Sequence, residues 1–105
     1  MHSSRWKAIE LHICRLFGGE RSGPTGRMGP DGKGTEPFAL EIKHGAAAPV
    51  PMWLQEAMKQ AERNAPEGML PTVVLHPRGW AVMESLVVFR LSAFREWYVD
   101  GKHES

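Results

Sequence analysis

Residues 37–43 read Pro37-Phe38-Ala39-Leu40-Glu41-Ile42-Lys43, and apolar side chains alternate with others along this stretch. Successive side chains of a β-strand point to opposite faces, so the alternation predicts a strand with two different faces. The first face carries Phe38, Leu40 and Ile42, and the second carries Ala39, Glu41 and Lys43. The stretch therefore places a carboxylate and an ammonium group together, opposite the apolar side chains.

The segments that follow predict a crossover unit. Residues 52–64 repeat their apolar side chains with the period of a helix, and residues 71–76 form a short, almost wholly apolar strand. A strand, a helix and a second strand in this order favour a right-handed parallel βαβ unit. The apolar stretch 86–91 predicts a further strand, and strands of this kind favour a sheet that is covered on both faces.

The ends of the chain complete an α/β arrangement. Residues 4–17 have a helical pattern that ends at Gly18 and Gly19, and residues 18–34 form a glycine-rich loop or hairpin. Residues 92–98 predict a short last helix. We therefore expect one α/β domain over residues 1–105, with a core at 4–98, a polar tail at 99–105, and a central mixed sheet flanked by helices.

Composition restricts the class of protein. The chain has 105 residues, and its only cysteine, Cys14, excludes an internal disulfide and a cysteine-based zinc cluster. It has no apolar run near the ~20 residues that cross a bilayer, and no signal-peptide core at its start, so we expect a cytoplasmic protein without membrane contact. The net charge is +1, but residues 1–35 hold six basic residues against three acidic ones. That excess is compatible with phosphate binding.

Glu41, Lys43 and Asp31 suit the hydrolysis of a phosphodiester. Carboxylates hold the hard divalent ions that activate water and neutralise phosphoryl charge. Glu41 is a candidate metal ligand and Lys43 a candidate for orienting the water, although the two residues also suit a plain ion pair. Asp31 follows Pro30 at the end of the glycine-rich loop. A hairpin would bring Asp31 beside Glu41 to share one cation; the alternative is an Asp-Gly turn with Gly32.

Further candidates surround this set. Glu10 interrupts the apolar face of the first predicted helix, so it needs a partner, either at the metal or on a basic side chain, unless it reaches solvent. Gln60 on the second predicted helix is a candidate DNA contact that could also hydrogen-bond a metal-bound water or a backbone group, or it is an ordinary exposed glutamine. The glycine-rich loop carries the candidate DNA contacts Arg21, Arg27 and Lys33 together with Thr25, and the alternative is a solvated loop.

The order of these motifs resembles a known family. A helix with a buried Glu precedes a Gly/Arg/Thr loop, then Pro30-Asp31, then Glu41-Ile42-Lys43 on a strand, then a helix with Gln60-Ala61 and the strand 71–76. The arrangement covers roughly residues 4–98. It resembles the archaeal-type Holliday junction resolvases of the PD-(D/E)xK nuclease superfamily, and the small resolvase-like nucleases of bacteriophages.

The resemblance implies a homodimer that nicks a four-way DNA junction in pairs, using Mg²⁺ or Mn²⁺, in the host cytoplasm if a phage encodes it. Glu10, Asp31 and Glu41 match the acidic positions and Lys43 matches the catalytic lysine. Thr25 stands near the place of a loop hydroxyl in the resolvases, with Ser22 as the alternative. The family continues from its Asp into an apolar strand, whereas Gly32 to Glu36 follow here, so Glu36 is a second choice of ligand.

Two other functions remain open at this point. The same chemistry suits a nuclease for flaps, nicks or duplex DNA, and the same scaffold suits a DNA-binding or assembly protein without catalysis. For the dimer, we expect the last strand and the segment 94–98 to form the interface, because the chain has more large apolar side chains than a core of this size needs.

Overall fold

A computed structural model describes residues 4–22 and 29–99 of the chain. The chain divides into two compact units, residues 1–48 and residues 49–105. Each unit contains a long helix and a two-stranded antiparallel sheet. This mixture of helices and strands agrees with the predicted α/β class at the level of secondary structure. In the two described ranges, no helix has the length and apolar character needed to cross a membrane.

Helix α1 opens the first unit and spans Ser4–Leu16, which confirms the helix predicted at 4–17. Its end is a Schellman arrangement, in which the N–H of Gly19 donates to the carbonyl of Cys14 and the N–H of Gly18 to that of Arg15, both at 2.9 Å. Gly18 has a φ of 91°, a left-handed conformation that costs glycine little. The glycine pair therefore ends the helix as predicted.

A short hairpin follows α1. Strand β1 (Glu20–Arg21) pairs antiparallel with β2 (Gly32–Lys33), and the register sets Arg21 opposite Gly32. The centre of the unit lies between α1 and this hairpin, where Cys14 is fully buried and Thr35 is almost so. A Cβ atom built on Gly19 would lie 2.1 Å from the carbonyl oxygen of Lys33. Glycine at this position is therefore what lets the helix end and the hairpin approach.

The predicted strand at 37–43 is wrong. Residues 38–44 have no regular secondary structure, and a 3-10 turn, Gly45–Ala47, follows them. One backbone hydrogen bond joins the segment to Asp31, from the N–H of Asp31 to the carbonyl of Leu40 at 2.7 Å. The N–H of Ile42 donates to the side chain of Asp31 and not to a backbone carbonyl. A ladder needs repeated backbone pairs, so no strand forms and the expected parallel βαβ unit is not built.

The second unit begins with helix α2, Met52–Asn64, which confirms the helix predicted at 52–64. Strands β3 (Val73–Leu75) and β4 (Leu86–Val88) lie within the predicted stretches but are shorter, and they pair antiparallel with Val74 opposite Val87. Helix α3, Leu91–Phe94, continues as a π turn over Arg95–Val99. Arg90 occupies the N-cap position of this helix, so the helix begins one residue before the predicted stretch 92–98.

Aromatic stacking holds the end of the second unit. Phe94 is buried, and its ring stacks on Phe89 and on Tyr98, each with ring centroids 5.4 Å apart. Arg90 Nε donates to Glu62 Oε2, which ties α2 to the start of α3. Many other large apolar side chains of this unit remain exposed.

Candidate functional site

Asp31 lies against the segment that carries Glu41. Its N–H donates to the carbonyl of Leu40 at 2.7 Å, and its Oδ2 accepts the N–H of Ile42 at 2.5 Å. In an extended chain the carbonyl before a residue and the N–H after it point to the same side. Asp31 therefore binds both neighbours of Glu41, and the two acidic motifs predicted from the sequence meet here.

The other side of Asp31 is fixed by the hairpin. Its carbonyl accepts the N–H of Ser22 at 2.9 Å, and the hydroxyl of Ser22 donates to the carbonyl of Pro30 at 2.9 Å. Cys14 Sγ lies 3.9 Å from the same Asp31 carbonyl, a weak thiol contact. Asp31 is thus held between α1, the hairpin and the 40–42 segment.

Glu41 and Lys43 form an ion pair next to this contact. Lys43 Nζ lies 3.1 Å from Glu41 Oε2, and the two side chains are 62% and 66% exposed. They lie on one side of the segment, as their two-residue spacing predicts. An exposed ion pair of this kind adds little stability, because water screens the attraction. Both groups are accessible to a ligand, because most of each side chain is exposed.

Glu10 and Arg21 form a second, more buried ion pair. Arg21 Nε donates to Glu10 Oε1 at 2.7 Å, with side chains 24% and 8% exposed. The sequence predicted that Glu10 needs a partner, either a metal ion or a basic side chain, and in the structure the partner is the basic side chain of Arg21. The pair ties α1 to β1, and it engages two residues that were predicted to contact the metal ion and DNA respectively.

Cys14 lies within this cluster of charges. Burial raises the pKa of its thiol, and the carboxylates of Glu10 and Asp31 raise it further, while the Arg21 guanidinium acts in the opposite direction. The thiol is therefore protonated at neutral pH and a poor nucleophile. Glu10 and Asp31 therefore both lie close enough to Cys14 to act on its thiol.

Whether this region can bind a divalent cation depends on which side chains supply ligands. Within residues 4–22 and 29–99, no three His, Cys, Asp or Glu side chains are grouped to hold a metal ion. Glu10 is committed to Arg21, so the three-carboxylate set expected from the sequence is not assembled. Mg²⁺ often takes only one or two carboxylates and keeps its waters, so Asp31 and Glu41 remain as the smaller candidate set.

The remaining predicted residues do not join this cluster. Gln60 is exposed on α2 in the second unit, and Lys33 is exposed on β2 opposite Glu20. Glu36, the second choice of ligand, is exposed in a turn. Thr25 and Arg27 lie outside the described residues. The hydroxyl of Ser22, which was the alternative to that of Thr25, donates to the carbonyl of Pro30.

Two residues were missed by sequence reasoning. Thr35 is 3% exposed, and its hydroxyl donates to the carbonyl of Phe38 at 2.6 Å, which fixes the start of the segment that leads to Glu41. The ring of His44 packs against that of Trp6, with centroids 4.1 Å apart and the planes tilted by 42°, and its Nε2 is buried without a hydrogen-bond partner in the described part of the chain. A threonine before Pro37 and a histidine directly after Lys43 were the available signals.

The chain matches no protein-family model, and no curated protein or solved structure is significantly similar to it.

Proposed function

We propose that this chain is a metal-dependent DNA endonuclease of the PD-(D/E)xK type that acts on four-way junctions. One observation carries the proposal: Asp31 is hydrogen-bonded to both neighbours of Glu41. Nine residues lie between the two acids in the sequence, and a hydrolytic site needs the acids together. The resemblance of the motif order to junction resolvases supports the choice of substrate, and the basic excess of residues 1–35 is compatible with binding of a DNA backbone.

In this proposal, each residue has a defined role. Asp31 and Glu41 hold Mg²⁺ or Mn²⁺, which when bound supplies charge neutralisation at the phosphate and a more acidic water. Lys43, whose ammonium group is exposed beside Glu41, orients the attacking water and offsets negative charge that develops on the phosphoryl oxygens. Glu10 positions Arg21 and the hairpin rather than binding the ion directly.

A DNA-binding protein without catalysis is the second candidate. The observation that favours it is the ion pair of Glu10 with Arg21, which occupies one of three expected ligands. On this alternative, Asp31 and Glu41 have only structural roles, and the basic residues of the first unit bind the DNA backbone.

A single cleavage experiment separates the candidates. The protein is incubated with labelled four-way, flap, nicked and linear duplex DNA, each with Mg²⁺ and with a chelator. Paired nicks in the four-way junction, present with Mg²⁺ and absent with chelator, support the resolvase proposal. Cutting of flaps or duplex in preference to the junction contradicts the proposed substrate. Binding of the junction without any cleavage favours the non-catalytic candidate.

A further inference from the structure

Residues 38–44, which carry the proposed site, have no regular secondary structure, so individual contacts define their path. Asp31 fixes the middle of this segment through its hydrogen bonds with Leu40 and Ile42. Lys43 lies just beyond those bonds, and its own side chain is 62% exposed. The position of the Lys43 backbone therefore depends on how the chain is held on its other side.

His44 attaches that other side to helix α1. Its ring packs against the ring of Trp6, with centroids 4.1 Å apart and the planes tilted by 42°. Ile42 and His44 are both partly buried, whereas Lys43 between them is exposed. Lys43 therefore lies between two residues that are attached to the rest of the unit, Ile42 by its N–H and His44 by its ring.

The shape of the ring is what attaches His44. Its Nε2 is buried and has no hydrogen-bond partner in the part of the chain that the structure describes, so this nitrogen adds no polar attachment. A buried nitrogen without a partner weakens a fold, because it gives up water and gains nothing in return. Tilted contacts between rings are, by contrast, favourable, and the contact with Trp6 is of this kind. A ring without the nitrogen should therefore hold the segment as well as histidine does.

We propose that His44 is a positioning residue for Lys43, and that it acts through its contact with Trp6. A lysine side chain is long and flexible, so a backbone held on both sides of it restricts where its ammonium group can reach. Such restriction matters for a reaction, because a misplacement of about 1 Å can cost about 100-fold in rate. This inference rests on the proposed function, in which Lys43 orients the attacking water, and it adds a residue that touches neither metal ion nor DNA.

The test is a double-mutant cycle on the cleavage rate. Single-turnover cleavage of a labelled four-way junction is measured with Mg²⁺ at saturating protein, and the junction Kd is measured with a chelator. His44→Ala is expected to lower the rate by about 10- to 100-fold, as a misplaced catalytic group does, with little change in Kd. In a Lys43→Ala background the same substitution is expected to lower the rate no further, because no ammonium group is left to position.

Three further variants accompany the cycle. His44→Phe keeps a ring against Trp6 and removes the nitrogen, so it is expected to retain the wild-type rate. His12→Ala removes a histidine that is exposed on α1 of the same unit, and it is expected to change nothing. Should His44→Ala fail to fold by circular dichroism, Trp6→Leu loosens the same contact from the helix and keeps an apolar side chain there, and the same loss of rate is expected.

Four results would overturn the inference. If His44→Ala cleaves as fast as an active wild type, His44 does not position Lys43, and the proposed function survives. If His44→Ala lowers the rate equally with and without Lys43, its role is a general structural one. If His44→Phe is as slow as His44→Ala, the nitrogen itself acts in the reaction and ring packing does not explain the residue. A wild-type protein that cleaves none of the DNA substrates overturns this inference and the proposed function together.

Discussion

At the scale of single residues, Asp31 has the most constrained position of the candidate acids. Its backbone binds Leu40 and Ser22, and its Oδ2 accepts the N–H of Ile42. A carboxylate that accepts a backbone N–H is oriented by that hydrogen bond. Glu41 is, by contrast, mostly exposed, and within residues 4–22 and 29–99 its carboxylate is paired with Lys43. The proposed pair thus combines one fixed carboxylate with one adaptable carboxylate.

Replacing either carboxylate should abolish metal-dependent cleavage. Loss of residues that only support a metal ligand typically costs about 10–100-fold, so Asp31→Asn and Glu41→Ala should each lower the single-turnover rate by at least about 100-fold. Chelation should have the same effect on the wild type. The rates are measured on labelled four-way junctions at saturating protein.

The matched control is Glu36→Ala, which removes an exposed acid five residues from Asp31 along the same unit. We expect it to cleave like wild type. If Glu36→Ala is inactive while Asp31→Asn keeps its full rate, the ligand is Glu36 and the assignment of Asp31 is wrong. Circular dichroism shows whether each variant is folded, since Asp31→Asn can still accept the N–H of Ile42 through its amide oxygen.

Lys43→Ala should slow the chemical step more than it weakens binding. The ammonium group and its partner Glu41 are both mostly exposed, so removal of the lysine leaves no buried charge behind. If it acts on the water or on transition-state charge, the single-turnover rate should fall about 100-fold or more while the junction Kd changes little. Equal losses in rate and in binding would instead identify Lys43 as a phosphate contact.

Glu10 and Arg21 should be coupled in stability. Their side chains are mostly buried, so removing one partner leaves a charge without compensation, at a cost of about 3 kcal/mol or more at a fully buried site and less here. A double-mutant cycle of Glu10→Ala and Arg21→Ala, followed by urea unfolding, should give a coupling energy of about 1–2 kcal/mol. A coupling energy near zero, together with a loss of metal affinity in Glu10→Ala, would show that Glu10 is a metal ligand and not the partner of Arg21.

At the scale of elements, the two long helices were predictable because their signals are local. Periodic apolar residues and the glycine pair after Leu16 define α1, and Pro51 precedes α2. The prediction of a strand at 37–43 is wrong because an alternating pattern indicates only which side chains would share a face. Whether a ladder forms depends on a neighbouring backbone, and the neighbour here offers the carboxylate of Asp31 in place of a second carbonyl.

The candidate site was predictable in part for the same reason. Motif spacing identified Asp31, Glu41 and Lys43, and the apolar surroundings of Glu10 showed that it required a partner. Which partner it takes depends on the hairpin register that sets Arg21 opposite Gly32, and no local pattern specifies that register. Thr35 and His44 escaped notice because burial of a single polar residue is a property of tertiary packing.

The junction of α1 and the hairpin should be sensitive to one methyl group. In Gly19→Ala the new Cβ would meet the Lys33 carbonyl oxygen at 2.1 Å and the Thr35 methyl at 2.7 Å, so the hairpin must move. Overpacking of this kind costs about 1–3 kcal/mol, and we expect a loss at the upper end in chemical unfolding.

Gly18→Ala is the matched control for this substitution. It adds the same methyl group where nothing lies within 4 Å, so only its left-handed backbone is penalised, by about 1 kcal/mol. If the two variants lose equal stability, the close approach of helix and hairpin is not a constraint. The comparison also matters for function, since Asp31 reaches the 40–42 segment from the end of this hairpin.

At the scale of the whole molecule, little apolar surface is fully buried. Among the described residues, Cys14 and Phe94 are the hydrophobic side chains with less than a tenth of their surface exposed. On β4, Leu86 is 49% exposed and Val87 is 57% exposed. Small chains of this kind gain stability by association, because a second copy covers surface that the first cannot. A nuclease for four-way junctions needs two active sites, and association would supply the second.

We therefore expect a symmetric dimer whose interface includes β4 and Trp97. Phe94, which was predicted for this interface, is buried within its own unit, so the exposed candidates are Leu86, Val87 and Trp97. In a C2 dimer each substitution acts twice, once from each copy. Val87→Glu should therefore weaken the dimer by at least about 100-fold, since it places uncompensated charge in the interface.

Sedimentation velocity over a range of micromolar concentrations measures this change, and Val50→Glu is the control, because Val50 is exposed to a similar extent, 50%, and lies before α2. If Val87→Glu becomes monomeric, its two nicks on one junction should lose their coordination while each single nick persists. A wild-type monomer that still cuts both strands in concert contradicts the dimer. In that case one site must serve both strands in turn, and a nicking enzyme describes the chain better than a resolvase.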